Sequence, residues 1–362
     1  MTQPPTDNFD GRLDAAVALL SQLIAIQSFS REEDKTADLI SEFLEQRGAA
    51  TQRIGNNIWA VNKHFATGKP TILMHSHHDT VRPNRDWTRD PFKPQIDDGK
   101  LYGLGSNDAG ASLVCLALTF LRFFERADLP FNLVYGAGAE EESAGEGGIS
   151  LLQQHIPPID AAIIGEPTEM EAAVGEKGLL VLDCTAHGRS GHAARNVGVN
   201  AIEIAMRDVK RLGDFRFERR SELLGDVKTT VTQIKAGTQH NVVPDRCEFV
   251  VDVRVTDVYT LEEVITTLQD LLESEVRARS LRLRSSSIDA NHPLVRAAQG
   301  IGLHCFGSPT MSDQALLTVP SLKIGPGRSQ RSHTADEYVE VEELRLGLQV
   351  YEQLLHALTR EF

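Results

Sequence analysis

Apolar positions in the first half of the chain alternate between helical spacing and short continuous runs. Apolar residues three and four positions apart predict helices over 13–27, 36–49 and 111–125. Short apolar runs bounded by polar residues predict strands at "NNIWAVN", "PTILMHS", "FNLVYGAGA" and "DAAIIGE". This alternation predicts an α/β domain with helices on both faces of its sheet.

The pattern changes near residue 176. A strand ("GLLVLDCTAHG"), a helix ("NAIEIAMRDVKRLG"), two strands ("VKTTVTQIKAG", "CEFVVDVRVT"), a helix ("TLEEVITTLQDLLESEV") and a strand ("LRLRSSSI") follow in turn. That order is β-α-β-β-α-β, the ferredoxin-like arrangement of a small α+β domain. The α/β pattern then resumes with a helix, the strand "VPSLKIG" and a long C-terminal helix. We therefore predict a large domain over 1–175 and 287–362, interrupted by an inserted domain over 176–286.

Length and charge narrow the class of protein. A chain of 362 residues with 41% hydrophobic content is long enough for two cores. The net charge of −14 disfavours nucleic acid and anionic membranes as partners. The N-terminus shows no secretion signal, and we read no apolar run long enough to span a membrane. The four cysteines form no C-x-x-C pair, which indicates reduced thiols and a cytoplasmic protein.

Imidazole or carboxylate side chains follow one strand or turn after another in the large domain. They are His77 and Asp79, Asp108, the run Glu140–Glu142, Glu166 and His333. A histidine at a single strand end is usually structural, and an acidic pair there is usually a solvated face. Three adjacent glutamates raise each other's energy unless a cation lies among them. Binding sites in α/β sheets lie beyond the carboxyl ends of the strands, and nitrogen and oxygen ligands without thiolate suit Zn²⁺, Co²⁺ or Mn²⁺. The ligand number exceeds that of a single zinc, which favours a two-metal site.

The motifs that carry these residues resemble those of the M20 family of dinuclear metallohydrolases. In chain order they are "HHDTV", "GLGSNDAGAS", "AEEESAGEGG", "IIGEPTE", "GRSGHAA", "NVVPD" and "RSHTADEY", which together span nearly the whole chain. Within the family the chain is most similar to acetylornithine deacetylase-like enzymes of arginine biosynthesis, particularly a short type acting on acyl-ornithine or acyl-citrulline. The resemblance implies a mixed-sheet zinc-hydrolase catalytic domain with an inserted lid and dimerisation domain.

The resemblance also implies roles for individual residues. One metal would be held by His77, Asp108 and Glu166, and the other by Asp108, Glu142 and His333, with Asp108 as the bridge. Asp79 would orient the His77 imidazole. Two divalent ions are implied, Zn²⁺ first and Co²⁺ as the alternative.

For catalysis, the resemblance makes Glu141 the general base toward a metal-activated water. His192 would stabilise the oxyanion across the interface of a homodimer formed through the inserted domain. Asn241 and Arg254 match positions that hold a substrate carboxylate, and an exposed salt bridge is the alternative for Arg254. Arg328 and Lys177 are further substrate-binding candidates by charge and position.

Three functions remain open from the sequence. The first is hydrolysis of N-acetyl- or N-succinyl-ornithine or -citrulline. The second keeps the site but changes the substrate, to that of an aminopeptidase or dipeptidase or to lysine or ornithine linked to a carrier protein. The third is a binding protein without catalysis, which the retention of every ligand and of Glu141 disfavours.

Overall fold

The computed structural model describes residues 8–195 and 197–362. The first seven residues, which belong to the stretch read for a secretion signal, lie outside that description. The chain divides into two compact units. The first unit comprises Met1–Val174, Ile288–Phe306 and Ser312–Phe362, and the second comprises Gly175–Ser287 and Gly307–Met311.

Several helices begin at residues whose side chains cap them. Asn8 and Asn200 each accept a backbone N–H at the start of a helix, and Thr260 and Glu263 form a capping box. The helices are α1 Phe9–Ile24, α2 Asp34–Glu45, α3 Ala111–Phe124, α4 Ile149–Leu152, α5 Ala201–Asp214, α6 Leu261–Leu271, α7 Pro293–Gly300 and α8 Val341–Leu358.

The strands are mostly short. The first nine are β1 Gln52–Ile54, β2 Asn57–Val61, β3 Thr71–His77, β4 Gln95–Asp97, β5 Lys100–Tyr102, β6 Asn132–Gly138, β7 Ala161–Ile164, β8 Ala172–Glu176 and β9 Gly178–His187. The others are β10 Gly191–His192, β11 Lys228–Ala236, β12 Val242–Val243, β13 Arg246–Val255, β14 Glu275–Ala278, β15 Ser286–Ser287, β16 Cys305–Ser308, β17 Ser321–Lys323 and β18 Tyr338–Glu340.

The main sheet is mixed and runs in the order β1-β2-β6-β3-β7-β17-β8-β15, with β16 paired to β8. Strand β3 pairs in parallel with β6 and β7, and β7 pairs in parallel with β17. Successive residues of β3 point to opposite faces. Ile72 and Met74 join the core that contains α1, α3 and α8, whereas Leu73 joins the core that contains Ile149 and Leu152. Both faces are therefore covered, as the sequence predicts.

The second unit contains a separate four-stranded antiparallel sheet in the order β11-β13-β9-β14. Helices α5 and α6 contribute their apolar residues to one core with the inward residues of these strands. The other face carries alternating polar side chains such as Asp183 and Glu248. The predicted fold class, an α/β domain with a mixed sheet and an inserted α+β domain, is confirmed.

One strand of the inserted domain lies elsewhere than predicted. Helix α6 ends at Leu271, and β14 completes the small sheet, whereas the predicted strand "LRLRSSSI" contributes only Ser286 and Ser287, which pair with β8. The acidic stretch after α6 continues the helical spacing in the sequence. Val276, however, is buried between an exposed Glu275 and an exposed Arg277, which is the alternation of a strand.

One helical segment, Ser106–Phe124, is long and apolar enough by length and composition to cross a membrane. This segment includes α3. It begins before the helix predicted over 111–125, and no apolar run of this length was predicted from the sequence. It is 78% buried inside the protein. That burial is typical of the central helix of a packed core, and α3 contributes nearly all its apolar side chains to the main core.

Candidate metal centre

The candidate centre lies where three neighbouring parallel strands end. His77 is the last residue of β3, Glu141 and Glu142 follow β6, and Glu166 follows β7. Because β6, β3 and β7 are adjacent and parallel, their carboxyl ends meet at one edge of the sheet. Asp108 joins this edge from the turn that precedes α3.

His77 faces three carboxylates. Its Nε2 lies 3.3 Å from Asp108 Oδ1, 3.7 Å from Glu166 Oε1 and 3.9 Å from Glu141 Oε2. The imidazole is buried, and Nε2 has no hydrogen-bond partner among the residues that the structure describes. A buried nitrogen without a hydrogen bond that is aimed at several oxygens is the arrangement expected of a metal ligand.

His333 forms the other side of the cluster. Its Nε2 lies 2.8 Å from Glu142 Oε2 and 3.6 Å from Asp108 Oδ2. Asp108 thus directs one carboxylate oxygen toward His77 and the other toward His333. The structure brings together all five predicted metal ligands, and it places a carboxylate between the two histidines.

Ionisation of the buried glutamates in this cluster is unfavourable without a cation. Burial, and then the neighbouring carboxylate of Glu166, raises the pKa of Glu141 well above its usual value, despite the opposing effect of His77. Burial likewise raises the pKa of Glu166. Burial lowers the pKa of His77, but the carboxylates of Asp108 and Asp79 outweigh it and raise that pKa well above the usual value. Carboxylates whose ionisation is costly alone become favourable ligands of a divalent cation.

The donor atoms fit divalent metal ions. Ligand atoms of His77, Asp108 and Glu142 lie within 4.8 Å of one another, and the same holds for His77, Glu141 and Glu166. The donors are imidazole nitrogens and carboxylate oxygens, which suit zinc, cobalt or manganese. The chemistry of the cluster therefore suits such ions, and His77 belongs to both groups.

Asp79 contacts the His77 ring and also the backbone of the loop after β6. The Nδ1 of His77 lies 3.0 Å from the backbone carbonyl of Asp79 and 3.4 Å from its carboxylate. The two carboxylate oxygens also accept the backbone N–H groups of Glu141 and Glu142, at 3.0 and 3.2 Å, and the Ser30 hydroxyl at 2.6 Å. Asp79 therefore connects the end of β3 with the loop after β6.

The three consecutive glutamates have separate environments. Glu142 pairs with His333, and Glu141 faces His77. Glu140 has a positive φ of 56° and packs its carboxylate where Gly145 and Gly147 leave space, since a Cβ on Gly145 would lie 1.9 Å from Glu140 Oε2. The structure thus separates Glu140 from the cluster.

A buried histidine–aspartate pair next to the cluster was not predicted from the sequence. His75 Nε2 lies 2.7 Å from Asp313 Oδ2, and both side chains are buried. The imidazole fits because β6 has glycine beside it. A Cβ on Gly138 would lie 2.5 Å from His75 Cε1. The alternating glycines of "YGAG" are the signal that could have pointed to a bulky neighbour on β3.

Two other buried polar residues were missed. His78 Nε2 lies 3.0 Å from the carbonyl of Asn56, and His78 Nδ1 lies 2.8 Å from Thr36 Oγ1. Glu33 is fully buried and accepts the backbone N–H groups of Arg31 and Glu140, at 2.6 and 3.2 Å. Glu33 has no sequence signal, because it lies in the polar stretch before α2.

Four predicted residues belong to the second unit. His192 and Asn241 are brought together there, since β10 pairs with β12 and the Ala193 N–H donates to the Asn241 carbonyl at 3.0 Å. Lys177 Nζ donates to the carbonyl of Asp226 at 2.7 Å. Arg254 lies on β13 and forms two hydrogen bonds with Asp252, at 2.9 and 3.1 Å. This is the salt bridge that the sequence left as the alternative for Arg254.

Arg328 lies in the first unit, between β17 and His333. Its side chain is 52% exposed and lies 3.6 Å from Glu169 and 3.7 Å from Glu343. Both ion pairs are long. Its backbone is held more firmly than its side chain, because its N–H and carbonyl both bond to the side chain of Asn107.

Comparisons with known proteins agree with this architecture. The sequence model of peptidase family M20/M25/M40 matches residues 73–357. A peptidase M20 domain-containing protein of Schizosaccharomyces pombe is 27% identical, over 94% of this chain and 84% of its own. The aminopeptidase PepT of Bacillus cereus superposes with a TM-score of 0.77 at 19% identity, covering 96% of this chain and 98% of that one. A dinuclear metal binding peptidase of the M20 family from Bacillus subtilis superposes at 0.73 and 17% identity, covering 97% and 99%.

Proposed function

Because the chain belongs to peptidase family M20/M25/M40 and is a metal-dependent hydrolase, we propose that it cleaves the amide bond of an N-acyl amino acid. The proposed substrates are N-acetyl- or N-succinyl-ornithine or -citrulline, as in arginine biosynthesis. The observation that carries the proposal is the position of Asp108 between His77 and His333, with Glu141 on the His77 side. The substrate itself rests on the ordered motifs.

Two divalent ions, zinc first and cobalt as the alternative, are proposed to occupy the cluster. His77, Asp108 and Glu166 would hold one ion, and Asp108, Glu142 and His333 would hold the other. When bound, such ions lower the pKa of water and polarise an amide carbonyl. The distances of 2.8 to 3.7 Å among these ligand atoms support both sets.

Glu141 is proposed as the general base. It would take a proton from the attacking water and return it to the leaving amine. Burial raises the pKa of the Glu141 carboxyl, which favours its uptake of a proton. Asp79 would support this role by fixing the backbone of Glu141.

The proposed oxyanion donor is His192, supplied by the partner subunit of a homodimer. Its Nδ1 accepts the Ala194 N–H at 3.1 Å, which leaves Nε2 as the nitrogen able to carry the proton. Dimerisation through the inserted domain is supported by β11, an edge strand whose residues are mostly exposed and include Ile234.

Asn241, Arg254, Arg328 and Lys177 are proposed to contact the substrate. The proximity of Asn241 to His192 supports a shared role at one end of the substrate. The bidentate pair with Asp252 weakens the proposal for Arg254, because a guanidinium held in this way must exchange partners to bind a carboxylate. Arg328 forms only long ion pairs, so it could exchange them more easily for a substrate carboxylate.

The proposed organisation assigns catalysis to residues 1–175 and 287–362, and the lid and dimer contact to residues 176–286. The proposed location is the cytoplasm. All four cysteines are free, which supports a reducing compartment.

A peptidase is the second candidate function. The superposed structures include an aminopeptidase and a dinuclear metal binding peptidase, and both cover nearly the whole chain. A free α-amine distinguishes the substrate of an aminopeptidase from an N-acyl amino acid. The candidate thus includes aminopeptidase and dipeptidase activity, and release of lysine or ornithine from a carrier protein.

Amine release from N-acetylornithine, N-succinylornithine, their citrulline counterparts and a dipeptide would test the proposal. The wild type, Glu141→Ala and the adjacent control Glu140→Gln are each assayed with Zn²⁺ or Co²⁺ and with a chelator. We expect chelator-sensitive cleavage of one acyl amino acid, abolished by Glu141→Ala and retained by Glu140→Gln. Cleavage of the dipeptide alone would establish the peptidase instead.

A further inference from the structure

Glu337 is a buried carboxylate four positions after His333. Its exposed fraction is 2%. It accepts three backbone hydrogen bonds from the segment that carries Asp108. The N–H of Gly105 donates to Oε2 at 3.0 Å, and the N–H groups of Asn107 and Asp108 donate to Oε1 at 2.8 and 2.9 Å. Both oxygens are therefore directed at one short turn.

Glycines allow this turn to wrap around the carboxylate. Gly105 has a φ of 75°, in the left-handed region, and a Cβ there would lie 2.6 Å from Thr80 Cγ2. A Cβ on Gly110 would lie 2.4 Å from the Gly105 carbonyl oxygen. The turn directs three of its N–H groups, those of Gly105, Asn107 and Asp108, at the carboxylate, whereas the Ser106 N–H donates to the Gly103 carbonyl. Converging backbone N–H groups are a common way to bind an anionic oxygen.

The same two segments are joined at further points. Asn107 Oδ1 accepts the N–H of Arg328 at 2.8 Å, and Asn107 Nδ2 donates to the Arg328 carbonyl at 3.1 Å. The N–H of Gly103 donates to the backbone carbonyl of Glu337 at 3.0 Å. The segment that carries Asp108 is therefore tied to the one that carries His333, and Glu337 provides the bonds closest to Asp108.

We propose that Glu337 is a positioning residue that sets the bridging carboxylate of Asp108 between His77 and His333. The proposal rests on the two-metal site proposed above. A bridging ligand must satisfy two ions at once, so a small movement of its backbone loosens both. No ligand role is assigned to Glu337 itself, because its oxygens are engaged by backbone amides.

Calorimetric titration of the metal-free protein with Co²⁺ tests this directly. In Glu337→Gln the side-chain amide cannot accept at its NH₂ end, so at least one of the three bonds is lost. We expect the dissociation constant for Co²⁺ to rise by about tenfold or more. We also expect the visible absorption of the bound Co²⁺ to change, because the ligand geometry changes. The matched control is Glu342→Gln, whose side chain is 78% exposed and pairs with Arg345 on the surface.

The control should bind Co²⁺ as the wild type does. A Glu337→Gln protein with wild-type Co²⁺ affinity and spectrum would overturn the proposal. If that variant does not fold, Glu337→Asp keeps the carboxyl group and shortens the reach by one methylene, and weakened Co²⁺ binding is again expected. Loss of fold in both variants would also overturn it, since Glu337 would then support the whole fold.

Metal binding is measured without substrate, so the two proposals fail in distinguishable ways. A wild type that binds two Co²⁺ ions but cleaves no acyl amino acid contradicts the proposed substrate and leaves the role of Glu337 intact. A wild type that binds fewer than two ions contradicts the two-metal site, and with it the role of Glu337.

Discussion

The carboxylate of Asp79 accepts the backbone N–H of Glu141 at 3.0 Å. The same carboxylate accepts the N–H of Glu142, so one side chain at the end of β3 fixes two consecutive residues after β6. Burial would raise the pKa of Asp79, but the neighbouring His77 imidazole and its hydrogen bond lower it. Asp79 therefore remains an acceptor at both oxygens.

Replacing Asp79 by Asn should slow catalysis more than it weakens substrate binding. The amide has only one acceptor oxygen, so at least one donor among Ser30, Glu141 and Glu142 loses its partner. We expect kcat to fall by about 10- to 100-fold with KM changed much less. We also expect unfolding to become easier by about 1–3 kcal/mol, since a buried donor is left unpaired. Steady-state kinetics and chemical denaturation measure both.

Ser30→Ala is the control for that prediction. It removes a single donor to Asp79 and leaves the carboxylate and both backbone bonds in place. We expect its kcat to stay within a few-fold of wild type. Wild-type kcat in Asp79→Asn would contradict a positioning role for this carboxylate.

Glu141→Gln should abolish turnover while leaving the metal content unchanged. Gln has the shape of Glu but cannot accept a proton at neutral pH, and loss of a general base costs about 10²- to 10⁴-fold in rate. Glu140→Gln is matched in chemistry and lies one residue away, with its carboxylate among Gly145 and Gly147. We expect it to retain activity. Elemental analysis of the metal content distinguishes loss of a general base from loss of a metal ligand. If Glu141→Gln loses an ion, Glu141 is a metal ligand.

The strand ends explain how much of the site the sequence could predict. His77, Glu142 and Glu166 lie at or shortly after the ends of apolar strands, and parallel strands bring such positions to one edge. Asp108 and His333 lie on turns, so their positions were visible in the sequence, but the ordered motifs were needed to assign them as ligands. Asp313 and Glu337 approach from distant segments, and a single buried carboxylate in a polar stretch has no sequence periodicity.

In the fold, too, some elements could be predicted from the sequence and others could not. The strands β3, β6 and β7 are continuous apolar runs, because both their faces are buried. Strand β14 was missed because its half-buried pattern directly follows an acidic helix with similar spacing. Short half-buried strands depend on their neighbours for stability, and those neighbours are far away in the sequence.

Removing metal should destabilise the protein, and adding it back should release protons. Burial raises the pKa of Glu141 and Glu166, so the metal-free cluster retains protons that a bound cation displaces. Metal affinity should therefore rise with pH. At free metal 100 times the dissociation constant, one site adds about 2.7 kcal/mol to the free energy of unfolding. Calorimetry in two buffers of different ionisation enthalpy measures the proton release, and equal heats in both would contradict it.

His78 should make the protein acid-sensitive in a definite pH range. Burial lowers the pKa of its imidazole to about 4, even though Asp79 and the Asn56 carbonyl favour the charged form. An unfolded histidine titrates near about 6.5. Between these values the unfolded chain binds a proton that the folded chain excludes. The contribution of His78 is therefore fully present above pH about 6.5 and is lost as pH falls toward 4, by about 3 kcal/mol in total.

Chemical denaturation of wild type and His78→Gln between pH 7 and pH 4.5 measures this effect. Gln does not titrate, so the stability difference between the two proteins should shrink as the pH falls, while carboxylates that titrate in both cancel. The control is His155→Gln, which replaces an exposed histidine on the surface after α4 and measures what a His→Gln exchange there contributes at each pH. A wild type and His78→Gln that stay parallel across the range would show that His78 is protonated in the folded protein as readily as in the unfolded chain. The Thr36 hydroxyl donates to the Glu33 carbonyl at 3.0 Å, so its oxygen can accept from Nδ1 while the Asn56 carbonyl accepts from Nε2, and these two bonds would then hold an imidazolium.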